Sequence, residues 1–195
     1  MPPRASNPDA ALIEAFQQGD EFAFVSLYNQ HKGAVYGFVY KMLMDRQAAQ
    51  DVTQDTFIRV YEHRERLVAT GAFKSWLFTI ARNQCLNYLR KAKRVDSLEE
   101  PDTLPGLRSP SLDLERSDAI RFVNHVLARL STDYREVLIL REYQNLSYED
   151  IAAVTRSTVS AVKSRLFKAR RKMAVLYREA TLEPDAASAL PVATT

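Results

Sequence analysis

Several common markers of chemistry are scarce or absent in this 195-residue sequence. The only cysteine is Cys85, which excludes an internal disulfide and a zinc site built on several cysteines. The three histidines, His31, His63 and His125, lack the spacing typical of metal ligands. Phosphate-binding loops and nucleophile motifs are missing too, and the carboxylates are spread along predicted helices or a proline-containing segment. We therefore expect no cofactor, no metal and no enzymatic activity.

Long hydrophobic stretches are also missing from the sequence. Residues 1–10 have no apolar core of the kind that marks a signal peptide. No apolar run approaches the roughly 20 residues that a membrane-spanning helix needs. We therefore expect a cytoplasmic protein that does not insert into a membrane.

The residues that are present favour helices. Apolar residues make up 46% of the chain, glycine occurs only five times, and apolar positions recur every three or four residues. This periodicity predicts an all-α fold. The first predicted helix begins at residue 7 or 9 and ends at residue 18. The others span residues 21–43, 47–66, 73–91, 117–130, 132–143, 148–154 and 158–178.

The helical pattern stops between the fourth and fifth predicted helices. Residues 93–116 contain Pro101, Pro105 and Pro110 among acidic residues and serines, which is typical of a flexible linker. Such a segment can reach roughly 80 Å when fully extended. We therefore predict two small helical domains, residues 1–92 and 117–180, joined by the linker 93–116 and followed by a disordered tail, 181–195.

The distribution of charge is more informative than the net charge of +3. Residues 156–178 and 74–94 contain many lysines and arginines and no acidic residue, whereas acidic residues predominate between 96 and 118. Two basic segments separated by an acidic one predict two contacts with a polyanion. Solvated helix faces are the alternative explanation, and they would suffice for either segment alone.

Residues 147–171 have the pattern of a helix-turn-helix. Ser147 and Asp150 can form a capping box that starts a short helix, residues 155–157 make a tight turn, and Thr158 begins a second, basic helix. Small polar residues near the start of that helix and cations further along suit a helix that enters the major groove of DNA. An ordinary basic surface helix is the alternative. The second helix is predicted to bury one apolar seam: Val159, Val162, Leu166, Ala169, Met173 and Leu176.

This C-terminal pattern resembles region 4 of the extracytoplasmic-function (ECF) sigma factors, the bacterial subunits that direct RNA polymerase to promoters. The matching segments are residues 145–152 (NLSYEDIA) and 159–170 (VSAVKSRLFKAR), with 138–142 (LILRE) upstream. The family often has glycine at the positions of Arg156 and Ser160 and threonine at that of Ala161. In the family this helix reads the −35 promoter element, so the resemblance implies −35 contacts by Arg156, Ser157, Thr158, Ser160, Ala161, Lys163, Ser164, Arg165, Lys168 and Arg171.

The third predicted helix resembles region 2.2 of the same family. Its segment 48–59 (AAQDVTQDTFIR) is expected to turn Val52, Phe57, Ile58 and Tyr61 toward the core. In the family, the polar face of this helix docks on a coiled coil of the largest polymerase subunit. The resemblance therefore implies polymerase contacts by Asp51, Gln54, Asp55 and Arg59. A solvated polar face is the alternative.

The fourth predicted helix resembles regions 2.3 and 2.4 through residues 73–83 (FKSWLFTIARN). Capture of unpaired bases needs aromatic surface and cations for the backbone. Trp76 is favoured as a core residue, while both roles stay open for Phe73. The preceding loop has Val68 and Ala69 where the family often has arginine and glycine. The −10 contacts that the resemblance implies are Thr70, Phe73, Lys74, Arg82, Asn83, Asn87, Arg90 and Lys91.

The resemblance covers residues 12–178 and implies an ECF sigma factor with the two-domain layout of the compact family members. Such a protein directs core polymerase to specific promoters and helps to open the −10 region. The implied partners are the coiled coil and flap of core RNA polymerase, promoter DNA and an anti-sigma factor. A helix-turn-helix regulator with a sensing or dimerising N-terminal domain is the alternative, and it would bind its operator tightly without polymerase.

Overall fold

The computed structural model describes residues 9–67, 70–96 and 118–182. Most of the predicted linker, the loop residues Val68 and Ala69, and the tail from residue 183 lie outside the described residues. Within the described ranges the chain forms helices and no strand, which confirms the predicted all-α fold. The helices are α1 (Ala10–Gln17), α2 (Glu21–Leu43), α3 (Arg46–Glu62), α4 (Phe73–Asp96), α5 (Asp118–Ala128), α6 (Thr132–Leu138), α7 (Tyr148–Thr155) and α8 (Val159–Leu182).

Helices α1 to α4 form the N-terminal module. The Asp20 carboxylate caps α2 by accepting hydrogen bonds from the backbone N–H groups of Phe22 and Ala23, at 2.8 and 3.1 Å. The Asp45 carboxylate caps α3 in the same way. The helices enclose a core in which many side chains have almost no exposed surface: Ile13, Phe16, Leu27, Val35, Phe38, Met42, Leu77 and Phe78.

Helices α5 to α8 form the C-terminal module. A five-residue π-helical segment, Ile139–Tyr143, continues α6 toward the loop before α7. The core of this module contains Val126, Val137, Ile151, Val162 and Leu166, all nearly inaccessible to solvent. The apolar seam predicted along α8 is buried at Val162, Leu166, Ala169 and Leu176 and partly buried at Val159 and Met173.

Helices α3, α4 and α8 end four or five residues away from their predicted ends. Helix α3 ends at Glu62, and a short 3-10 turn, Arg64–Arg66, follows it. The Gln17 side chain donates a hydrogen bond to the Leu67 carbonyl at 2.6 Å, a tertiary contact that no local pattern encodes. Helix α4 runs on to Asp96 and α8 to Leu182. The first proline that follows α4 is Pro101, and cations near the C-terminus of α4 stabilise its last turn. The local sequence therefore contains no residue that would end this helix at residue 92.

The two modules pack against each other. Helix α4 of the N-terminal module lies against α7 of the C-terminal module, and α2 contacts the π-helical segment. The buried apolar side chains of both modules form one cluster. The sequence predicts two helical modules but does not predict this contact.

Candidate interfaces for nucleic acid and polymerase

The turn between α7 and α8 is held by local hydrogen bonds. The Ser147 hydroxyl accepts a hydrogen bond from the Asp150 backbone N–H at 3.0 Å, which is the Ser147 half of the predicted capping box at the start of α7. The same hydroxyl donates a hydrogen bond to the Asp150 carboxylate at 2.7 Å. Arg156 ends α7 in the left-handed region, with φ 50° and ψ 48°. The Thr158 hydroxyl then accepts a hydrogen bond from the Ala161 N–H at 3.1 Å at the start of α8. These contacts fix the entry of α8.

One face of α8, with the turn before it, exposes the predicted −35 residues. Seven of them are exposed: Arg156, Thr158, Ser160, Lys163, Ser164, Lys168 and Arg171. Ser157, Ala161 and Arg165 are half-buried. The small residues come first and most of the cations follow, so the N-terminal end of α8 is the less bulky one. That order permits close approach to base edges at one end and phosphate contacts along the rest.

The cations of α8 have different surroundings. The Lys163 ammonium lies 5.6 Å from the centre of the Tyr148 ring, and the Arg171 guanidinium lies 5.8 Å from that of Phe167. Arg165 contributes positive potential at the buried Glu136 carboxylate.

The predicted polymerase face lies on α3. Asp51, Gln54, Asp55 and Arg59 are all exposed and follow one another at helical spacing, while Val52 and Phe57 are buried on the other side. Ile58 is 48% exposed, so the expectation that it faces the core is wrong. Its position at the edge of the helix face, next to the groove between α2 and α3, explains the exposure.

That groove is a feature which the sequence analysis missed. It runs beside the polar face of α3 and is lined by Phe24, Val25, Tyr28, Gln54, Phe57, Ile58, Tyr61 and Glu62. Val25 and Ile58 are each about half exposed, and the nearby Phe22 is 87% exposed. A signal was present in the sequence, because Phe22 and Val25 are apolar and lie off the buried stripe of α2. Exposed apolar side chains beside charged ones are typical of a surface that binds protein.

The predicted −10 residues fall into two groups along α4. Near its C-terminal end Asn87, Arg90 and Lys91 are exposed and Asn83 is half-buried. The Arg90 guanidinium donates a hydrogen bond to the Asn87 side-chain oxygen, so the two side chains form one polar surface. Thr70 belongs to a short 3-10 turn, Thr70–Ala72, just before α4. The C-terminal part of α4, which contains Asn87, Arg90 and Lys91, is accessible to a ligand.

Near the N-terminal end of α4 the predicted residues contact protein. Phe73 is 2% exposed and packs against Phe16, His31 and Trp76, and Trp76 itself is half-buried against the core. The expected core role of Trp76 agrees with that position. In this conformation the Phe73 ring is not available to a base.

Lys74 and Arg82 reach across to the C-terminal module. The Lys74 ammonium donates a hydrogen bond to the Gln144 carbonyl at 2.6 Å, and the Arg82 guanidinium lies 2.9 Å from the Glu136 carboxylate. Burial raises the pKa of Glu136, an effect that Arg82 partly opposes. Both cations are thus occupied by the neighbouring module.

The described residues show two further properties that bear on function. Among residues 9–67, 70–96 and 118–182, no helix is long and apolar enough to cross a membrane. In those same ranges, no group of three or more histidine, cysteine, aspartate or glutamate side chains could hold a metal ion.

In comparisons with known proteins, each of the two modules matches a known protein family. Sigma-70 region 2 matches residues 27–95, and Sigma-70, region 4 matches residues 123–173. The RNA polymerase sigma-H factor of Pseudomonas aeruginosa is 34% identical, across 88% of this chain and 97% of that protein. The ECF RNA polymerase sigma-E factor of Haemophilus influenzae is 35% identical, across 83% of this chain and 91% of that protein. The sigma factor RpoE from Bartonella quintana, solved with the anti-sigma factor NepR, is 28% identical and aligns with a TM-score of 0.65, covering 80% of this chain and 96% of that chain.

Matches to two sigma regions in the right order, with relatives aligned along nearly their whole length, leave one family. The chain belongs to the ECF group of the sigma-70 family of RNA polymerase sigma factors.

Proposed function

We propose that this sigma factor holds core RNA polymerase through the polar face of α3 and promoter DNA through α8 and α4. The observation that carries the proposal is the pairing of an exposed basic face with a largely buried apolar seam on α8, the second helix of a helix-turn-helix. A helix packed in this way can enter a major groove without disturbing its own module. The proposed units are residues 1–92 for polymerase and the −10 element and 117–180 for the −35 element.

Two kinds of contact give the C-terminal module its proposed −35 specificity. The exposed cations Lys163, Lys168 and Arg171 neutralise phosphates, which supplies affinity without sequence information. Ser160, Ala161 and Ser164 lie near the start of α8, where short side chains allow the helix to approach base edges. The phosphate contacts that position the helix and the base contacts that read the sequence thus come from different residues of α8.

The polar face of α3 and the groove beside it form the proposed polymerase surface. Asp51 and Asp55 supply negative charge, whereas the candidate DNA faces are basic, so charge alone separates the two kinds of partner. Val25 and Ile58 add exposed apolar area next to Gln54. Such a combination of charge and apolar contact is typical of protein–protein interfaces.

The proposed role of α4 is to hold an unpaired −10 strand. Asn87, Arg90 and Lys91 offer hydrogen bonds and positive charge to a strand that lies along the helix. Cations along a groove hold the backbone of a single strand, and such contacts can offset local unpairing without ATP. The chain would then position DNA while the polymerase carries out all chemistry, so we propose that it is not an enzyme. It would act where the polymerase acts, in the cytoplasm.

An anti-sigma factor is a further proposed partner. The relative from Bartonella quintana was solved in complex with one. We propose that a protein of this class covers the polymerase and DNA faces of both modules and thereby keeps the chain inactive.

A reconstituted run-off assay tests the proposed function. Core polymerase, the purified chain and a pool of genomic fragments are expected to yield transcripts with defined start sites, and core polymerase alone is not. The absence of any such transcript would overturn the proposal. Tight and specific binding to duplex DNA without polymerase would instead favour an operator-binding regulator.

A further inference from the structure

Helix α1 contributes side chains to the α3–α4 connection, a name that we use for residues 63–72. The Gln17 side-chain amide donates a hydrogen bond to the Leu67 carbonyl at 2.6 Å, across 50 residues of chain. The neighbouring Phe16 packs its ring edge-on against that of Phe73, with 6.4 Å between the ring centres. Adjacent residues of α1 thus hold the connection at Leu67 and at the first residue of α4.

Helix α1 also packs against both short 3-10 turns of the α3–α4 connection. It contacts Arg64–Arg66 and Thr70–Ala72. Leu67 and Phe73 are buried, and Gln17 is half-buried. Holding a loop at two points removes part of its conformational entropy already in the folded chain, so less remains to be lost when a ligand binds. The contacts from α1 therefore preorganise the start of α4.

The hydrogen bond from Gln17 ends on the backbone of the connection. A backbone carbonyl is available whatever side chains the connection carries. Val68 and Ala69 stand where the family often has arginine and glycine. An anchor on the backbone is independent of such differences in side chains.

Helix α1 lies outside the part of the chain that matches Sigma-70 region 2. That match begins at residue 27, whereas α1 is Ala10–Gln17. The apolar side of α1 belongs to the core, in which Ile13 and Phe16 are buried. Gln17 is the last residue of the helix, and its polar end reaches the connection. The core thus explains the apolar residues of α1 but does not explain the amide of Gln17.

We propose that Gln17 is a positioning residue for promoter opening, which acts through the Leu67 carbonyl to hold the α3–α4 connection and the start of α4 in the arrangement that receives an unpaired −10 strand. This inference rests on the proposed function, in which Thr70 and residues of α4 contact that strand. Gln17 itself does not contact DNA. It raises the affinity for the strand because an ordered connection loses less conformational entropy on binding than a free one.

Hydrogen–deuterium exchange of the full chain tests whether Gln17 orders the connection in solution. Gln17→Ala removes the donor, whereas Gln18→Ala makes the same change at the next, exposed residue. Peptides that cover residues 64–74 are expected to exchange at least roughly threefold faster in Gln17→Ala than in Gln18→Ala, while peptides of α8 exchange equally. Equal exchange in residues 64–74 would overturn the proposal. A uniform increase along the whole chain would do so too, because Gln17 would then support the fold in general.

Promoter opening by the holoenzyme tests the role in function. A promoter fragment obtained from the run-off assay carries 2-aminopurine in the −10 segment of the non-template strand, and its fluorescence rises when the base leaves the duplex. Loss of one hydrogen bond is expected to lower the opening equilibrium constant roughly fivefold in Gln17→Ala relative to Gln18→Ala. Binding of core polymerase and of a duplex that contains only the −35 element should stay within roughly twofold. Equal opening by the two variants would contradict the proposal, as would equal losses in all three assays.

A conservative replacement gives the last comparison. Gln17→Lys keeps a hydrogen-bond donor at this position, and Gln18→Lys adds the same charge at the neighbouring exposed residue. The two are expected to open the promoter within roughly twofold of each other. A defect in Gln17→Lys as large as that in Gln17→Ala would show that the donor is not what matters and would reject the proposal.

The run-off assay keeps this inference distinct from the proposed function. If the wild type yields no transcript, the proposed function fails, and the role of Gln17 fails with it. If the wild type opens promoters and Gln17→Ala opens them equally well, only the role of Gln17 is rejected.

Discussion

Within residues 9–67, 70–96 and 118–182, three residues other than glycine adopt left-handed backbone conformations, and each ends or joins a helix. They are Met44 with φ 56°, Asn145 with φ 53° and Arg156 with φ 50°. A side chain in this region costs roughly 1–2 kcal/mol relative to glycine, with asparagine the most tolerant. At Arg156 the family often has glycine, so the arginine retains this strain in the turn before α8. Because this energetic cost is kept at an exposed position of the candidate −35 face, we expect the positive charge of Arg156 to contact DNA.

Arg156→Gly should therefore separate stability from DNA binding. We expect the free energy of unfolding to rise by about 1 kcal/mol because the backbone strain is relieved. The affinity of the holoenzyme for a promoter fragment should fall, and the slope of log K against log salt should decrease by about one, since one phosphate contact is lost. Urea unfolding and salt titrations measure the two effects. Met44→Gly, which relieves the same strain away from α8, should leave the slope unchanged, and an unchanged slope in Arg156→Gly would remove this arginine from the interface.

The single thiol gives a second prediction for one residue. Burial and the nearby Glu136 carboxylate raise the pKa of Cys85 to about 12. The folded chain thus disfavours the thiolate, and this contribution to stability is complete below the ordinary pKa of 9.0 and is lost as the pH rises toward about 12. Relative to Cys85→Ala, the wild type should lose about 1.4 kcal/mol per pH unit in that window. Urea unfolding at several alkaline pH values measures the difference, and a constant difference would show that the thiolate is tolerated.

At the scale of elements, amphipathic helices carry both proposed interfaces. Helices α3 and α8 each bury one apolar side and expose a polar one, and the sign of charge on the exposed side differs between them. The π-helical segment Ile139–Tyr143 sets the path from α6 to α7. There the Gln144 N–H bonds to the Ile139 carbonyl at 3.1 Å, and the Arg141 guanidinium donates to the Leu146 carbonyl at 2.7 Å. Rigid elements thus hold the candidate interfaces in place.

Charge reversal on α3 tests the polymerase surface. Asp55→Lys should weaken binding to purified core polymerase at least tenfold, because a cation replaces an acidic group in an interface selected by charge. Its stability should stay within about 0.5 kcal/mol of the wild type, since the side chain is exposed. Glu14→Lys makes the same charge change at an exposed position of α1 and should bind normally. An equal loss in both variants would point to net charge instead of this surface.

At the scale of the whole molecule, Glu136 couples the ionisation of one carboxyl to the packing of two modules. Its carboxyl faces Arg82 from the N-terminal module and lies near Asp133 and Arg165 of its own module. Burial raises the pKa of this carboxyl and outweighs the opposing effect of Arg82. Ionisation of this carboxyl therefore costs more in the packed chain than in the unfolded one.

The free energy of unfolding of the chain should therefore depend on pH through Glu136. The contribution of Glu136 is fully present below the ordinary glutamate pKa and is lost as the pH rises through the higher pKa of the folded state. The free energy of unfolding of the wild type minus that of Glu136→Gln should consequently fall as the pH rises above the ordinary glutamate value of 4.5. Urea unfolding at intermediate pH values measures this difference. A difference that grows with pH would mean that the attraction of Arg82 outweighs burial.

The sequence alone predicts most features that depend on local periodicity, with Ile58 as an exception. The buried seam of α8, the exposed faces of α3 and α8, and the order of helix, turn and helix follow from apolar residues three and four positions apart, because side chains at that spacing share one helix face. The region 2 and region 4 motifs are equally local. For this reason the family could be recognised without coordinates.

Only the tertiary structure decided which parts of those faces are free. Lys74 meets Gln144 across 70 residues of chain, and Arg82 meets Glu136, although neither pair belongs to a common motif. The left-handed conformation of Arg156 and the exposure of Ile58 likewise became clear only from the coordinates. Contacts between distant segments depend on the matching shape and charge of two assembled surfaces, and the periodicity of one helix contains no information about the surface that it will meet.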